Sequence, residues 1–194
     1  MKRSTMMMLC CWLLLANTAW GEAVRTIGKI EADIDGKHKV WKVLYRDGIE
    51  TLSASWQSLQ PGQRLASIIG FESTDVQFKD SGEAVPDISG PGSYVVVTFG
   101  FGPDDTEISY QLPLQEDSNA MVNVTFYPTI GGAPYMLMNS TGTVTVNTIK
   151  VSKTGNSIFK GTFSGVLRSF GGRSKKLTIS NGTFETGEAR FIHK

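Results

Sequence analysis

Cysteine and histidine are scarce in this chain, and no apolar run is long enough to cross a bilayer. Both cysteines, Cys10 and Cys11, fall in an N-terminal segment built unlike the rest. Lys2 and Arg3 give it a short positive start, Met6 to Ala16 carry no charge, and Ala19-Trp20-Gly21 offers small residues at the −3 and −1 positions of a cleavage site. That three-part layout is the pattern of a secretory signal peptide. A spanning helix needs about 20 apolar residues, more than this stretch supplies. A lipid-attachment cysteine should end the apolar stretch, whereas here it continues past Cys11 through Trp12 to Leu15. The expected organisation is a signal peptide over 1–21 and one domain over 22–194, with no transmembrane helix in the mature chain.

Cleavage after Gly21 removes both thiols, which excludes disulfides, cysteine nucleophiles and thiolate metal sites. It also removes Lys2 and Arg3, leaving 17 basic residues against 18 acidic ones and a formal charge of −1. So balanced a domain has no electrostatic footprint for nucleic acid. The remaining 173 of 194 residues suffice for a core without cross-links, since chains of this size bury about 70% of their unfolded surface. An exported chain without cysteine points to a bacterial periplasm, cell surface or medium. There the sequons at Asn123, Asn139 and Asn181 are chance products of an Asn- and Thr-rich sequence.

Strand signals fill the mature part. Ile30, Ala32 and Ile34 alternate with charged residues up to Asp35-Gly36, a hairpin dipeptide, and Trp41, Val43 and Tyr45 alternate up to Asp47-Gly48. Leu65 to Phe71 and Val76 with Phe78 follow the Pro61-Gly62 turn. Ser81 to Ser93, with three glycines and two prolines, is the longest segment expected to lack regular structure. Tyr94 to Phe101 is dense in β-branched and aromatic residues and is expected to be a central strand. Thr106–Leu112, Met121–Tyr127 and Thr143–Val151 read as further strands. Ile158 to Phe170 places Phe159, Phe163 and Leu167 on one face, with Gly161 and Gly165 marking a bend or a close backbone approach. Leu177 and Ile179 lead to Asn181-Gly182, read as a turn into a last strand over Thr183 to Ile192. Thr51 to Leu59 is the one stretch that suits a short helix. The fold class is all-β: an antiparallel β-sandwich or closed β-barrel of about ten strands. Crossover helices are missing, which excludes a parallel α/β sheet.

Two segments carry a resemblance. Lys29-Ile-Glu-Ala-Asp-Ile-Asp-Gly36 followed by Trp41, and Gly161-Thr-Phe-Ser-Gly-Val-Leu167 with Leu177-Thr-Ile-Ser-Asn-Gly-Thr-Phe184, resemble small exported bacterial proteins of unknown function. The resemblance implies strand-turn-strand edges of a compact β fold and no chemistry.

Catalytic groups are few. His38 lies beside a hairpin turn and His193 is next to last, both suited to the surface, so a Ser-His-Asp triad and a three-ligand zinc site lack members. Carboxylate pairs for glycoside hydrolysis are available in Asp33/Asp35, Asp104/Asp105/Glu107 and Glu116/Asp117, although turn carboxylates usually bond their own backbone. Asp104-Asp105 with Glu107 lacks the spacing of a calcium loop. Trp41, Trp56, Tyr94, Tyr110, Tyr127 and Tyr135 suit a core before a sugar platform. Gly100-Phe101-Gly102 and Gly131-Gly132 bring no lysine and open no helix, so neither reads as a phosphate loop.

These residues name no catalytic, ligand-binding or metal site and no cofactor. The leading expectation is an exported envelope or secreted domain, non-enzymatic, with a structural or ligand-binding role. Its partner is an unidentified small molecule, glycan or envelope protein. A carboxylate-dependent carbohydrate hydrolase is the alternative. A small outer-membrane barrel ranks third, because the chain ends without the usual terminal aromatic and several strands are shorter than the 9–11 residues that spanning requires.

Overall fold

The computed structural model describes residues 24–45, 54–79, 87–115, 118–137, 140–152, 156–170 and 175–191. Every regular element among them is a strand. In chain order these are β1 (Arg25–Ile34), β2 (Lys37–Tyr45), β3 (Ala54–Gln60), β4 (Gln63–Phe71), β5 (Gln77–Lys79), β6 (Asp87–Ser89), β7 (Tyr94–Phe101), β8 (Ile108–Leu112), β9 (Val122–Tyr127), β10 (Tyr135–Met136), β11 (Gly142–Val151), β12 (Ser157–Ser169) and β13 (Lys176–Phe191).

Eleven of them form one sheet in the order β2-β1-β13-β3-β4-β7-β9-β10-β12-β11-β8. Pairing is antiparallel except where Arg190 and Phe191 run parallel to Ser55 and Trp56. Two further pairings, β2 with β4 and β13 with β12, bring the order back on itself. Strands β5 and β6 make a separate small hairpin.

Period-two alternation decides what faces inward. Ile30 and Ala32 of β1, Trp41 and Val43 of β2, Ala66 and Ile68 of β4, Val95, Val97 and Phe99 of β7, Val124 of β9 and Phe159 of β12 are fully buried in one core. Aromatic rings tie it together: Phe99 meets Phe159 edge-on at 5.3 Å, and Trp41 meets Phe126 edge-on at 5.8 Å. Such pairs add about 0.5–1.5 kcal/mol each beyond area burial.

Most strand expectations hold. Asp35 and Gly36, at φ 48° and 76°, turn β1 into β2, as a two-residue hairpin with both φ positive requires. Tyr94–Phe101 lies between β4 and β9, inside the sheet. Three expectations are corrected. Ala54 to Leu59, the described part of the Thr51–Leu59 stretch, belongs to strand β3 and is not a helix. Its Ala54 and Trp56 are buried in alternation, and it pairs with β4 through the Pro61-Gly62 turn. The Ser81–Ser93 segment contains β6, paired with β5, while 80–86 lie outside the described residues. Asn181-Gly182 is not a turn. Strand β13 runs through it, because β1 and β12 flank it on both sides and supply ladder partners to each half.

The two glycine motifs of the C-terminal third explain each other. Gly161-Thr162-Phe163 and Gly182-Thr183-Phe184 are the same tripeptide, and they pair antiparallel as Gly161↔Phe184, Thr162↔Thr183 and Phe163↔Gly182. On the inner face each phenylalanine ring fills the space left by the opposite glycine. The Phe163 ring comes within 2.5 Å of where a Cβ on Gly182 would sit. A side chain there would collide with a ring and with backbone, so each glycine is fixed by its partner.

Candidate functional site

On the outer face of the paired tripeptides the side chains are Thr162 and Thr183, both exposed. The next pairs outward are hydroxyls too: Thr143 lies opposite Ser164, with their oxygens 3.3 Å apart, and Ser109 Oγ is 3.0 Å from Thr145 Oγ1. Pairings Ser109↔Thr145↔Thr162↔Thr183 thus draw one row of four hydroxyl residues across β8, β11, β12 and β13.

A bulge in β13 turns this row into a depression. Phe163 faces Gly182 while Gly165 faces Ile179, so Ser164 alone faces both Ser180 and Asn181. Asn181 takes φ 51°, a left-handed conformation that asparagine tolerates better than most residues. Bulges re-aim side chains in this way. The result is an open groove of about 560 Å³, lined by Thr143, Thr162, Ser164, Ser180, Asn181 and Thr183 together with Phe163 and Gly182. No ionisable side chain lines it.

One end of the groove is held by carboxylates. Asp33 accepts from Asn181 Nδ2 at 2.8 Å and lies 3.0 Å from His38 Nδ1. The Asn181 amide, and then His38, hold its carboxyl below the usual carboxylate range. Asp35 accepts from the Thr178 amide at 2.7 Å, while its own amide donates to the Thr178 carbonyl. This pair fastens the β1–β2 hairpin to β13. Its members bond separate partners instead of facing each other across a cleft.

The other sequence candidates scatter. His38 is 65% exposed, and His193 lies outside the described residues, as do Glu116 and Asp117. Asp105 accepts from the Gly102 amide at 2.6 Å, closing the Gly102–Asp105 turn. Among the described residues no group of three or more His, Cys, Asp and Glu side chains is placed to hold a metal ion. The aromatics divide: Trp41, Trp56 and Tyr110 are buried in the core. Tyr94 and Tyr127 stack at 4.1 Å on the outer face, with Phe71 beyond Tyr94. Burial raises the Tyr94 hydroxyl above its ordinary range.

No protein family, curated protein or solved structure matches the chain.

A second polar cluster joins strands instead of offering a site. Ser93, nearly fully buried, accepts from the Trp41 indole N–H at 3.0 Å and donates to Glu72 Oε2 at 2.6 Å. The Ser93 amide donates to the same carboxylate oxygen, and Lys39 Nζ reaches Oε1 at 2.9 Å. The Ser93 hydroxyl, followed by Lys39, holds Glu72 down at about 2. A carboxylate so firmly ionised is a poor general base for the serine it touches. Sequence reasoning passed over both Ser93 and the groove hydroxyls. The only signal for the groove was the repeated Gly-Thr-Phe, whose meaning depends on pairing.

Proposed function

We propose that the mature chain is an exported, non-enzymatic β domain of the periplasm, cell surface or medium that binds a neutral glycan along the hydroxyl groove of β11, β12 and β13. The observation that carries this reading is the groove's lining: five hydroxyls and one amide beside Phe163 and Gly182, with no charge. Such groups exchange hydrogen bonds with sugar hydroxyls as donors and acceptors alike, and they supply neither the acid nor the base that glycoside hydrolysis needs. Export rests on the signal-peptide layout of residues 1–21.

Two observations weigh against the outer-membrane alternative. The outward row beside the groove includes Lys29, Lys42, Lys160 and Glu185, which a lipid face would penalise. The inward face is packed with Trp41, Phe99, Phe159 and Phe184 instead of being polar. The pairings β2–β4 and β13–β12 favour closure of the sheet into a barrel over two separate sheets.

The test is a glycan panel probed with purified residues 22–194, beside a Thr162→Val/Thr183→Val double variant that keeps the β-branched shape. Retention of neutral glycans that weakens at least tenfold in the variant supports the reading. Hydrolysis products in the same panel, or equal retention by the variant, would overturn it.

A further inference from the structure

Two cavities near Arg64 share no lining residue with the groove. Arg64, the second residue of β4, is on the same face as Ala66 and Ile68, one pleat beyond the buried core, so its side chain lies across the core's end. Its guanidinium carbon sits 5.3 Å from the Trp56 ring centre and 5.9 Å from that of Phe101, two rings that are themselves buried. Its hydrogen bonding is sparse: Nη1 donates to the Pro103 carbonyl at 3.4 Å, and no carboxylate among the described residues pairs with it. A guanidinium has five donors in a planar fork, so a half-covered one with a single long bond keeps most of its capacity for an anion.

The space around it fits that use. A cavity of about 350 Å³ opens beside Arg64 between the Leu59–Gln63 turn and Pro103. A second, of about 220 Å³, adjoins it through Gly62 and Gln63 and is walled by Phe101, Ile108, Tyr110 and Met121. Leu59 and Met121, 40% and 41% exposed, are two of only four large apolar side chains so exposed among the described residues, and each lines one of the cavities. Asp105 lines the second cavity, where its carboxylate disfavours a second negative charge. Backbone fixes the walls: Tyr110 Oη donates to the Gly100 carbonyl, and Gln63 Nε2 donates to the Asn119 carbonyl at 3.2 Å.

We propose that this notch binds an amphiphile with one anionic head, the head on the Arg64 fork and the tail against Leu59 and Met121. Head and tail are recognised separately, by a charge-assisted fork and by apolar contact. The site is independent of the hydroxyl groove.

The experiment follows the Trp56 and Trp41 indole N–H resonances of residues 22–194 during titration with octanoate, octyl phosphate, 1-octanol and acetate. Expected is a saturable shift of Trp56 with octanoate or octyl phosphate, the tighter of the two identifying the head as carboxylate or phosphate. Octanol and acetate should bind at least tenfold more weakly. Arg64→Gln should reduce affinity at least tenfold, and Leu59→Ser/Met121→Ser about threefold or more. Should Arg64→Gln fail to fold, Arg64→Lys keeps the charge without the fork and should still lose several-fold. An unmoved Trp56, equal binding of octanol, or unchanged affinity in the Arg64 variants would overturn the proposal.

Discussion

Phe184 lies over Gly161 across the β12–β13 pair, its Cζ 2.5 Å from the point a Cβ on that glycine would occupy. Phe163 repeats the arrangement over Gly182, and the two rings stack at 6.4 Å. One interlock therefore sets the inner packing and, through Thr162 and Thr183 on the opposite side, the groove.

Gly161→Ala should destabilise the domain by about 1–3 kcal/mol, because the methyl has to displace the Thr145 carbonyl and the Phe184 ring. Gly187→Ala, where the nearest atom is an ordinary 3.6 Å contact, should change stability by less than about 0.5 kcal/mol. Urea midpoints at constant m-value measure both. Equal effects would remove the interlock.

Phe184→Ala should cost about 3–5 kcal/mol, the usual loss for a buried phenylalanine. Adding Gly161→Ala to it should cost less than the two single changes summed, since the new methyl then fills space the ring has left. A double-mutant cycle from urea unfolding reads this coupling. Strict additivity would mean that the two residues do not compete for the same space.

The Glu72 carboxylate, held at about 2 first by Ser93 and then by Lys39, gives a pH signature. Its folded-state value is below the unfolded one, so its contribution is present above the ordinary carboxylate range near 4.3 and is lost as pH falls towards 2. With the side chain 43% exposed, screening limits the effect to about 1 kcal/mol. The Tm gap between wild type and Glu72→Gln should therefore narrow between pH 5 and 2.5 in thermal scans. A gap independent of pH would contradict the ionised network.

Asn181 at φ 51° should accept glycine far better than a β-branched residue. Asn181→Val should cost about 1–2 kcal/mol for the left-handed backbone, while Asn181→Gly stays close to wild type. In both variants loss of the amide bond should raise the Asp33 pKa, readable from its carboxyl carbon in an NMR titration.

Processing at the Gly21–Glu22 bond should give a mature product beginning at Glu22, detectable by intact mass of the exported protein. An unprocessed chain recovered from the cytoplasm would remove the export half of the proposed function.

Alternation and turn chemistry are local, so the sequence alone was enough to read most of the strands, the Asp35-Gly36 hairpin and the core position of Trp41. It also placed Phe159, Phe163 and Leu167 correctly on one buried face. Asn181-Gly182 misled because the same dipeptide serves a hairpin or a bulge. Only the presence of β1 and β12 on either side decides which. The Ala54–Gln60 strand was ambiguous for a like reason, its character coming from pairing with β4. The groove and the Arg64 notch were out of reach of any local pattern. Each gathers residues far apart in the chain, Thr143 with Thr183 and Arg64 with Phe101, through strand register. Register is a property of the assembled sheet, and it alone brought these uncharged hydroxyls and that half-covered cation into place.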